Sequence, residues 1–335
     1  MLKTEIGISE IAKALNISST TVSRALSGNG RVSEKTRRAV EEYILSHGGV
    51  PNVRKTTYSD KKTMNIGVCL PSEGNYAEMP FFTKILMTIY DYFSVRGYNI
   101  ILLKTGQWEI SALKNAVSRH IVDGVILTRV FENGLDIQYL KEKGVPFVVT
   151  GSCQDDEVYQ VDVDQRSACR ELASILFKMG IRRTALMSAN FKQGVSQLRM
   201  NGYLDAVREN DMPIEQKFLI ENAADANVME KAVMDIVKEG IECIICTDDG
   251  ICISILNYFR EIGVRVPEDI RIASFYNSPT LEEQNYSITS IDFDINEWGK
   301  IAGGMLEKQL LGECCEKKKS LGYKILLKES TKFSL

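Results

Sequence analysis

Residues Glu5–Leu26 read EIGISEIAKALNISSTTVSRAL, and the rest of the chain makes sense as machinery for using this stretch. Ile8, Ile11, Ala12 and Leu15 fall on one face of a short helix. Asn16 and Ile17 break the run, and Ser18 or Ser19 offers a hydroxyl to cap a second helix whose Val22, Ala25 and Leu26 face inward. The outward face of that helix is Ser19, Thr20, Thr21, Ser23 and Arg24. Hydroxyls and N-terminal amides suit phosphates, and a long planar donor suits a base edge, so this face is chemically fitted to a DNA groove. An ordinary helical hairpin with a solvated polar face fits the same residues. The neighbouring sequence has to decide.

A third helix follows the turn Ser27–Gly30. Ser33, Glu34 and Thr36 mark its start, Ala39, Val40, Tyr43, Ile44 and Leu45 carry its apolar face, and Gly48-Gly49 end it. Three short helices make a minimal bundle over residues 1–49. Residues 50–63, PNVRKTTYSDKKT after Val50, are polar, basic and nearly free of apolar side chains, which is the composition of a linker. Through Thr63 the chain carries eleven Lys and Arg against six Asp and Glu, a net +5, although the whole chain stands at −3. A basic head on an acidic body suits a small module that meets a polyanion while the body stays off it.

From Met64 the texture changes to apolar strands alternating with helices. Strands are expected at Met64–Pro71, Tyr98–Thr105, Asp123–Thr128 and Val145–Gly151, with helices at Phe81–Val95, Ile110–His120 and Leu135–Lys143 between them. The pattern restarts from Val161. Helices Arg166–Met179, Gln197–Asn210, Asn227–Gly240 and Ile251–Gly263 alternate with strands at Arg182–Ala189, Lys217–Glu221, Ile241–Thr247 and Asp269–Phe275. Continuous apolar strands between helices mean a parallel sheet covered on both faces, so the core is α/β, with two lobes and a cleft between them. Ligands of such sheets bind beyond the carboxyl ends of the strands.

No stretch approaches the roughly 18 apolar residues of a membrane span, and the N-terminus is polar rather than signal-like. The eight cysteines follow no framework spacing and several sit in apolar runs (Cys69, Cys243, Cys246), which reads as reduced thiols in a cytoplasmic protein. Cys243 and Cys246 lie in one strand-like run and make a poor half of a zinc site, so no metal and no cofactor are expected. Against an enzyme stand the two histidines, His47 and His120, and the lack of a Gly-rich phosphate loop or a nucleophile elbow. The adjacent acids Asp155-Asp156 and Asp248-Asp249 point successive side chains apart.

Ile11–Val40, with Thr-Val-Ser-Arg at Thr21–Arg24 and Val-Ser-x-x-Thr-Arg at Val32–Arg37, resembles the head of the LacI/GalR family of bacterial transcription regulators. Pro80-Phe81-Phe82, Val122-Asp123-Gly124, Arg199 with Gly202-Tyr203, Val264–Ile270 and Lys328–Thr331 resemble that family's periplasmic-binding-protein-like core. The resemblance implies a homodimer placing two helix-turn-helix heads on a pseudo-palindromic operator. Ser19, Thr20 and Arg24 would lie near base edges and Ser18, Thr21, Ser23 and Ser27 on phosphates. It also implies a 50–63 hinge reaching DNA through Asn52 and Tyr58. Here Gly49, Lys55, Thr56 and Tyr58 stand where relatives commonly carry Tyr, Ala, Arg and Leu. Thr56, Thr57 and Tyr58 are poorer helix formers than what they replace, and Tyr58 is a less comfortable minor-groove wedge.

The resemblance further implies a core over residues 64–335, with a first lobe at 64–160 plus 292–322 and a second at 161–291 plus 323–331. Its cleft would hold a small metabolite, a sugar or sugar derivative, and operator affinity would follow its occupancy, most simply as a repressor's. Phe81, Phe82, Ser152, Arg199, Thr247, Asp248 and Tyr276 are the effector-binding candidates. Arg199 and Asp248 suit hydroxyl groups and the aromatics suit a sugar's apolar face, while Gly151-Ser152 and Tyr276-Asn277 depart from the acids many sugar-binding relatives carry. One of Phe81 and Phe82 is expected in the core, and Asp248 has the alternative of capping a helix before Gly250. Two other readings of the core remain: a solute receptor without operator control, and an enzyme using the cleft.

Overall fold

The computed structural model describes residues 8–27, 32–46, 62–72, 80–131, 134–190 and 194–332. The chain divides into two units, 1–62 and 63–335. Among its described residues the first holds three helices, α1 (Ile8–Ala14), α2 (Ser19–Ser27) and α3 (Glu34–Ser46). Asn16, in the left-handed region at φ 52°, turns the chain between α1 and α2, a conformation asparagine tolerates better than most residues. The Thr21 amide donates to Ser18 Oγ at 3.0 Å and the Thr36 amide to Ser33 Oγ at 3.2 Å, so a serine caps each of the last two helices. Ile11, Ala12, Val22, Ala25 and Val40 close over one another as a small core.

The second unit contains two six-stranded sheets. The first comprises β1 (Asn65–Pro71), β2 (Asn99–Thr105), β3 (Gly124–Leu127), β4 (Phe147–Thr150), β5 (Gln160–Val163) and β11 (Lys318–Leu321), in the order β11-β5-β4-β3-β1-β2 and parallel throughout. The second comprises β6 (Thr184–Met187), β7 (Leu219–Ile220), β8 (Cys243–Cys246), β9 (Arg271–Ser274), β10 (Thr289–Phe293) and β12 (Tyr323–Leu326), in the order β12-β10-β9-β8-β6-β7. Only β12 runs antiparallel to its neighbour. The central strands are buried on both faces, as the apolar runs GVIL and CIIC require. Cys243 and Cys246 pack into separate apolar clusters, so the two thiols cannot converge on one metal.

Helices α4 (Pro80–Ser94), α5 (Ser111–Ser118) and α6 (Leu135–Lys143) link the strands of the first sheet, and α8 (Gly194–Glu209), α9 (Ala226–Lys238), α10 (Asp249–Ile262) and the short α11 (Pro279–Glu282) those of the second. The chain passes between sheets three times. At two of these passages a strand ends, an aspartate caps, and a helix begins: Asp164 accepts from the Ser167 amide ahead of α7 (Gln165–Lys178), and Asp294 from the Glu297 amide ahead of α12 (Ile295–Leu311). The third passage is Gly322, between β11 and β12.

Two lobe boundaries differ from the sequence-based expectation. Val161–Val163, expected to open the second lobe, are hydrogen-bonded into the first sheet as β5, and Asp292–Phe293, expected in the first lobe, end β10 of the second. The strand expected over Lys217–Glu221 shrinks to a 3₁₀ turn at Gln216–Phe218 and two residues of edge strand. β10, α11, α12, β11 and β12 lie beyond the last element the sequence pattern resolved.

Several of the motifs have a local physical reason. Asp123 accepts from the Thr63 amide (2.7 Å), Thr63 Oγ1 (2.8 Å) and the Met64 amide (2.8 Å), so it fixes where the chain enters the core. Ser330 Oγ accepts from the Thr289 amide (2.9 Å) and donates to the Ile272 carbonyl (2.6 Å), tying the closing Lys328–Thr331 turn beneath β9 and β10. Arg265 binds Asp269 through backbone and guanidinium, which holds that carboxyl down at about 2. Gly202 lets α8 lie directly on α7: a Cβ there would sit 2.3 Å from the Arg166 carbonyl oxygen. Gly202→Ala must therefore push the two helices apart, and we expect it to cost about 1–3 kcal/mol, read as a lower melting temperature by differential scanning calorimetry.

Candidate functional site

The outer face of α2 carries the first group of candidates. Ser19, Thr20 and Arg24 are exposed, whereas Thr21 is half-buried with its hydroxyl 2.8 Å from Ser18 Oγ. Ser18 and Thr21 therefore build the cap, which leaves the exposed Ser19, Thr20 and Arg24 to face a partner. The backbone of Ser23 and Ser27 lies within α2. Asn52 and Tyr58 lie outside the described residues.

The second group surrounds the carboxyl ends of the two parallel sheets. In each sheet the chain turns from its first strand to an edge and then back across, β1 to β2 to β3 and β6 to β7 to β8, so each has a switch point where a crevice forms. Arg199, on α8, is only 8% exposed. Its Nε donates to Gln165 Oε1 at 3.0 Å and its Nη1 to the Thr247 carbonyl at 2.6 Å. The guanidinium thus joins the start of α7 to the end of β8. Ser152, which follows β4, donates to Asp162 on β5. Burial raises the Asp162 carboxyl above its usual range, opposed by the Ser152 hydrogen bond and the positive charge of Arg199. An acid therefore does stand in this part of the cleft, although sequence reading looked for it at Gly151-Ser152. The one available signal was an Asp inside the strand QVDV.

Asp248 takes the helix-cap alternative. Its Oδ1 accepts from the Ile251 amide at 3.0 Å, and the Thr247 hydroxyl donates to Oδ2 at 3.2 Å. Phe81 and Phe82 are both half-buried, with rings 5.2 Å apart edge to face. Phe81 also meets Trp298 at 5.5 Å and Tyr276 at 6.1 Å. Tyr276, one of the effector-binding candidates, is 5% exposed and stacks on Phe293 at 6.2 Å. The aromatics thus form a packed spine from α4 through the loop after β9 to α12, leaving ring edges rather than a broad face. Burial raises the Tyr276 phenol, helped by the negative charge of Asp249.

Beside this spine lies a recess of about 170 Å³, lined from both lobes by Lys84, Tyr276, Asn277, Ser278 and Asp292. At the far side of the crevice a Cβ on Gly194, at the start of α8, would come 3.8 Å from the Val130 carbonyl oxygen of the first lobe. The cleft therefore presents a buried guanidinium, carboxylates, hydroxyls and aromatic edges. Such a set binds a polar molecule by hydrogen bonds against apolar ring edges.

Comparison with known proteins extends over both units. Residues 7–52 match the profile of bacterial regulatory proteins of the lacI family, and residues 173–331 that of the periplasmic binding protein-like domain. Catabolite control protein A of Priestia megaterium is 25% identical over 335 residues, covering 98% of this chain and 99% of that protein. The HTH-type transcriptional regulator MalR of Staphylococcus xylosus is 28% identical over 279 residues, 82% of each. The solved structure of the transcriptional regulator CelR in complex with cellobiose superposes with a TM-score of 0.69 at 23% identity, over 97% of this chain and all of that one. Relatives of this kind are regulators, not enzymes. Among the described residues no helix is long and apolar enough to cross a membrane. With a matching head, a matching core and likeness along the whole length, the chain belongs to the LacI family of bacterial transcriptional regulators.

Proposed function

We propose that this protein is a homodimeric repressor that binds a pseudo-palindromic DNA operator through paired α2 helices and adjusts that binding to a sugar or sugar derivative held in the cleft. The observation that carries the reading is the coexistence, in one chain, of an exposed Ser19–Thr20–Arg24 face on a capped helix and a buried Arg199 at the carboxyl ends of a two-lobed core. Arg24 is the guanine reader, worth about 1–3 kcal/mol of discrimination. The hydroxyls and helix amides meet phosphates. Asn52 and Tyr58 complete the DNA contact from the hinge.

The effector enters between Arg199, Ser152, Thr247 and Asp248, with Phe81, Phe82 and Tyr276 supplying ring edges. It shifts the closure of the two lobes. Because Asp123 holds Thr63 and Met64 to the first sheet, that shift moves the point from which the linker departs and changes the population of DNA-competent heads. The first lobe also carries exposed apolar side chains, Met87 (51%), Tyr90 (47%), Leu102 (58%) and Trp108 (65%), on α4, the edge strand β2 and the residues after it. This surface suits a second copy of the chain.

Operator affinity measured by fluorescence anisotropy with and without a saturating sugar should differ by about 1–3 kcal/mol, and equal affinities would reject control by the cleft. Arg24→Ala should weaken operator binding far more than binding to unrelated duplex, while both should fall steeply as salt rises. Equal losses would reduce Arg24 to a phosphate contact. Leu102→Lys should convert the dimer to monomer in sedimentation velocity and weaken operator binding with it. A dimer that persists would place the subunit contact elsewhere.

A further inference from the structure

One acid at the carboxyl end of β8 is incompletely bonded. Asp249 opens α10, one residue past its cap, and is 7% exposed. It interacts with Ser278, in the loop after β9, and lies in the fields of Asp248 and Tyr276. Its Oδ2 has no hydrogen-bond partner, and among the described residues it is the only buried carboxylate oxygen in that condition. Burial lifts the carboxyl above its usual range, opposed by hydrogen bonds from Ser278 and from the backbone amides of Asp249 and Gly250. A buried acceptor left unpaired costs folding free energy, so its retention asks for a donor that arrives from outside.

The surroundings say where that donor comes from. β8 is the strand on the far side of the second sheet's switch point, where ligands of parallel sheets bind. Two residues before Asp249, the Thr247 carbonyl already accepts from Arg199. Asp248 is committed to the helix cap and to the Thr247 hydroxyl. Ser278, the one side chain that satisfies Asp249, lines the 170 Å³ recess together with Tyr276 and Asn277. Asp249 thus adjoins the wall of that recess at Ser278.

Resting on the reading of the cleft as an effector site, we propose that Asp249 is the effector's anchoring acceptor in the second lobe: Oδ2 takes a hydrogen bond from a hydroxyl of an uncharged polyhydroxylated ligand. The same carboxylate repels a ligand that brings a phosphate to this end of the cleft.

The test uses the full chain with cellobiose, maltose and D-glucose as probes, in calorimetric titration and thermal shift. Asp249→Asn keeps the shape and an acceptor for Ser278 but loses the charge, and Asp249→Ala removes the acceptor. Without sugar, the Asn variant should melt at or above the temperature of the unaltered chain, because an unpaired buried charge has gone. The sugar that binds the unaltered chain should bind about tenfold more weakly to the Asn variant and about a hundredfold more weakly to the Ala variant. Unchanged sugar affinity in both variants, or an Asn variant that melts lower, overturns the proposal and makes Asp249 a structural acid holding Ser278. If none of the three sugars binds the unaltered chain, the reading of the cleft as a sugar site fails and the proposal falls with it.

Discussion

A parallel strand cannot return to its neighbour through a tight turn, and this constraint organises the core. Most strands here are followed by a helix that carries the chain back along the sheet, so the strand-to-helix turns collect at one edge. In each sheet of this protein that edge carries the residues with unmet or shared polar demands: Ser152 and Asp162 in the first, Thr247, Asp248 and Asp249 in the second. The apolar demand is met elsewhere, in strands buried on both faces and helices packed against them. The separation is economical: packing fixes the sheets, and the edge is left to chemistry.

Three passages between the lobes then make the hinge a shared structure rather than a simple linker. α12 comes from the end of the second sheet yet lies against the first, with the Trp298 indole donating to the Val161 carbonyl at 2.8 Å. Gly299 and Gly303 let it approach α4, since Cβ atoms there would meet Thr88 and Tyr92 at 2.7 and 2.5 Å. Close by, Phe81, Tyr276, Phe293 and Trp298 interlock across the lobe boundary. Any movement of the lobes must repack these rings, which favours a few discrete arrangements over continuous bending.

Much of this was legible in the sequence wherever burial was complete. The head helices, their serine caps and the α/β alternation up to Ser274 follow from apolar period and capping residues, because those positions answer to packing alone. Beyond Ser274 the signal weakens for identifiable reasons. β11 is an edge strand reading KKSL with three exposed residues, β10 reads TSIDF, and α12 carries glycines that only the contact with α4 explains. In the cleft, Arg199 was recognisable from its motif, but Asp162 and Asp249 were not. Each is polar beside residues of stronger signal, and its significance lies in a partner distant in sequence: Ser152 ten residues away, Ser278 in another loop. Tyr276 was legible as a cleft aromatic but not as part of a packed spine, since its neighbours Phe81 and Phe293 come from two other segments.

The clamp at Asp123 has a consequence for how such a chain can be rebuilt. Two of its three hydrogen bonds come from backbone amides and the third from Thr63, so everything it needs lies at or after residue 63. The three groups that make this clamp with Asp123 thus belong to the core unit itself. Thr63 is the natural seam at which a different head can be grafted, with the sheet still beginning in register.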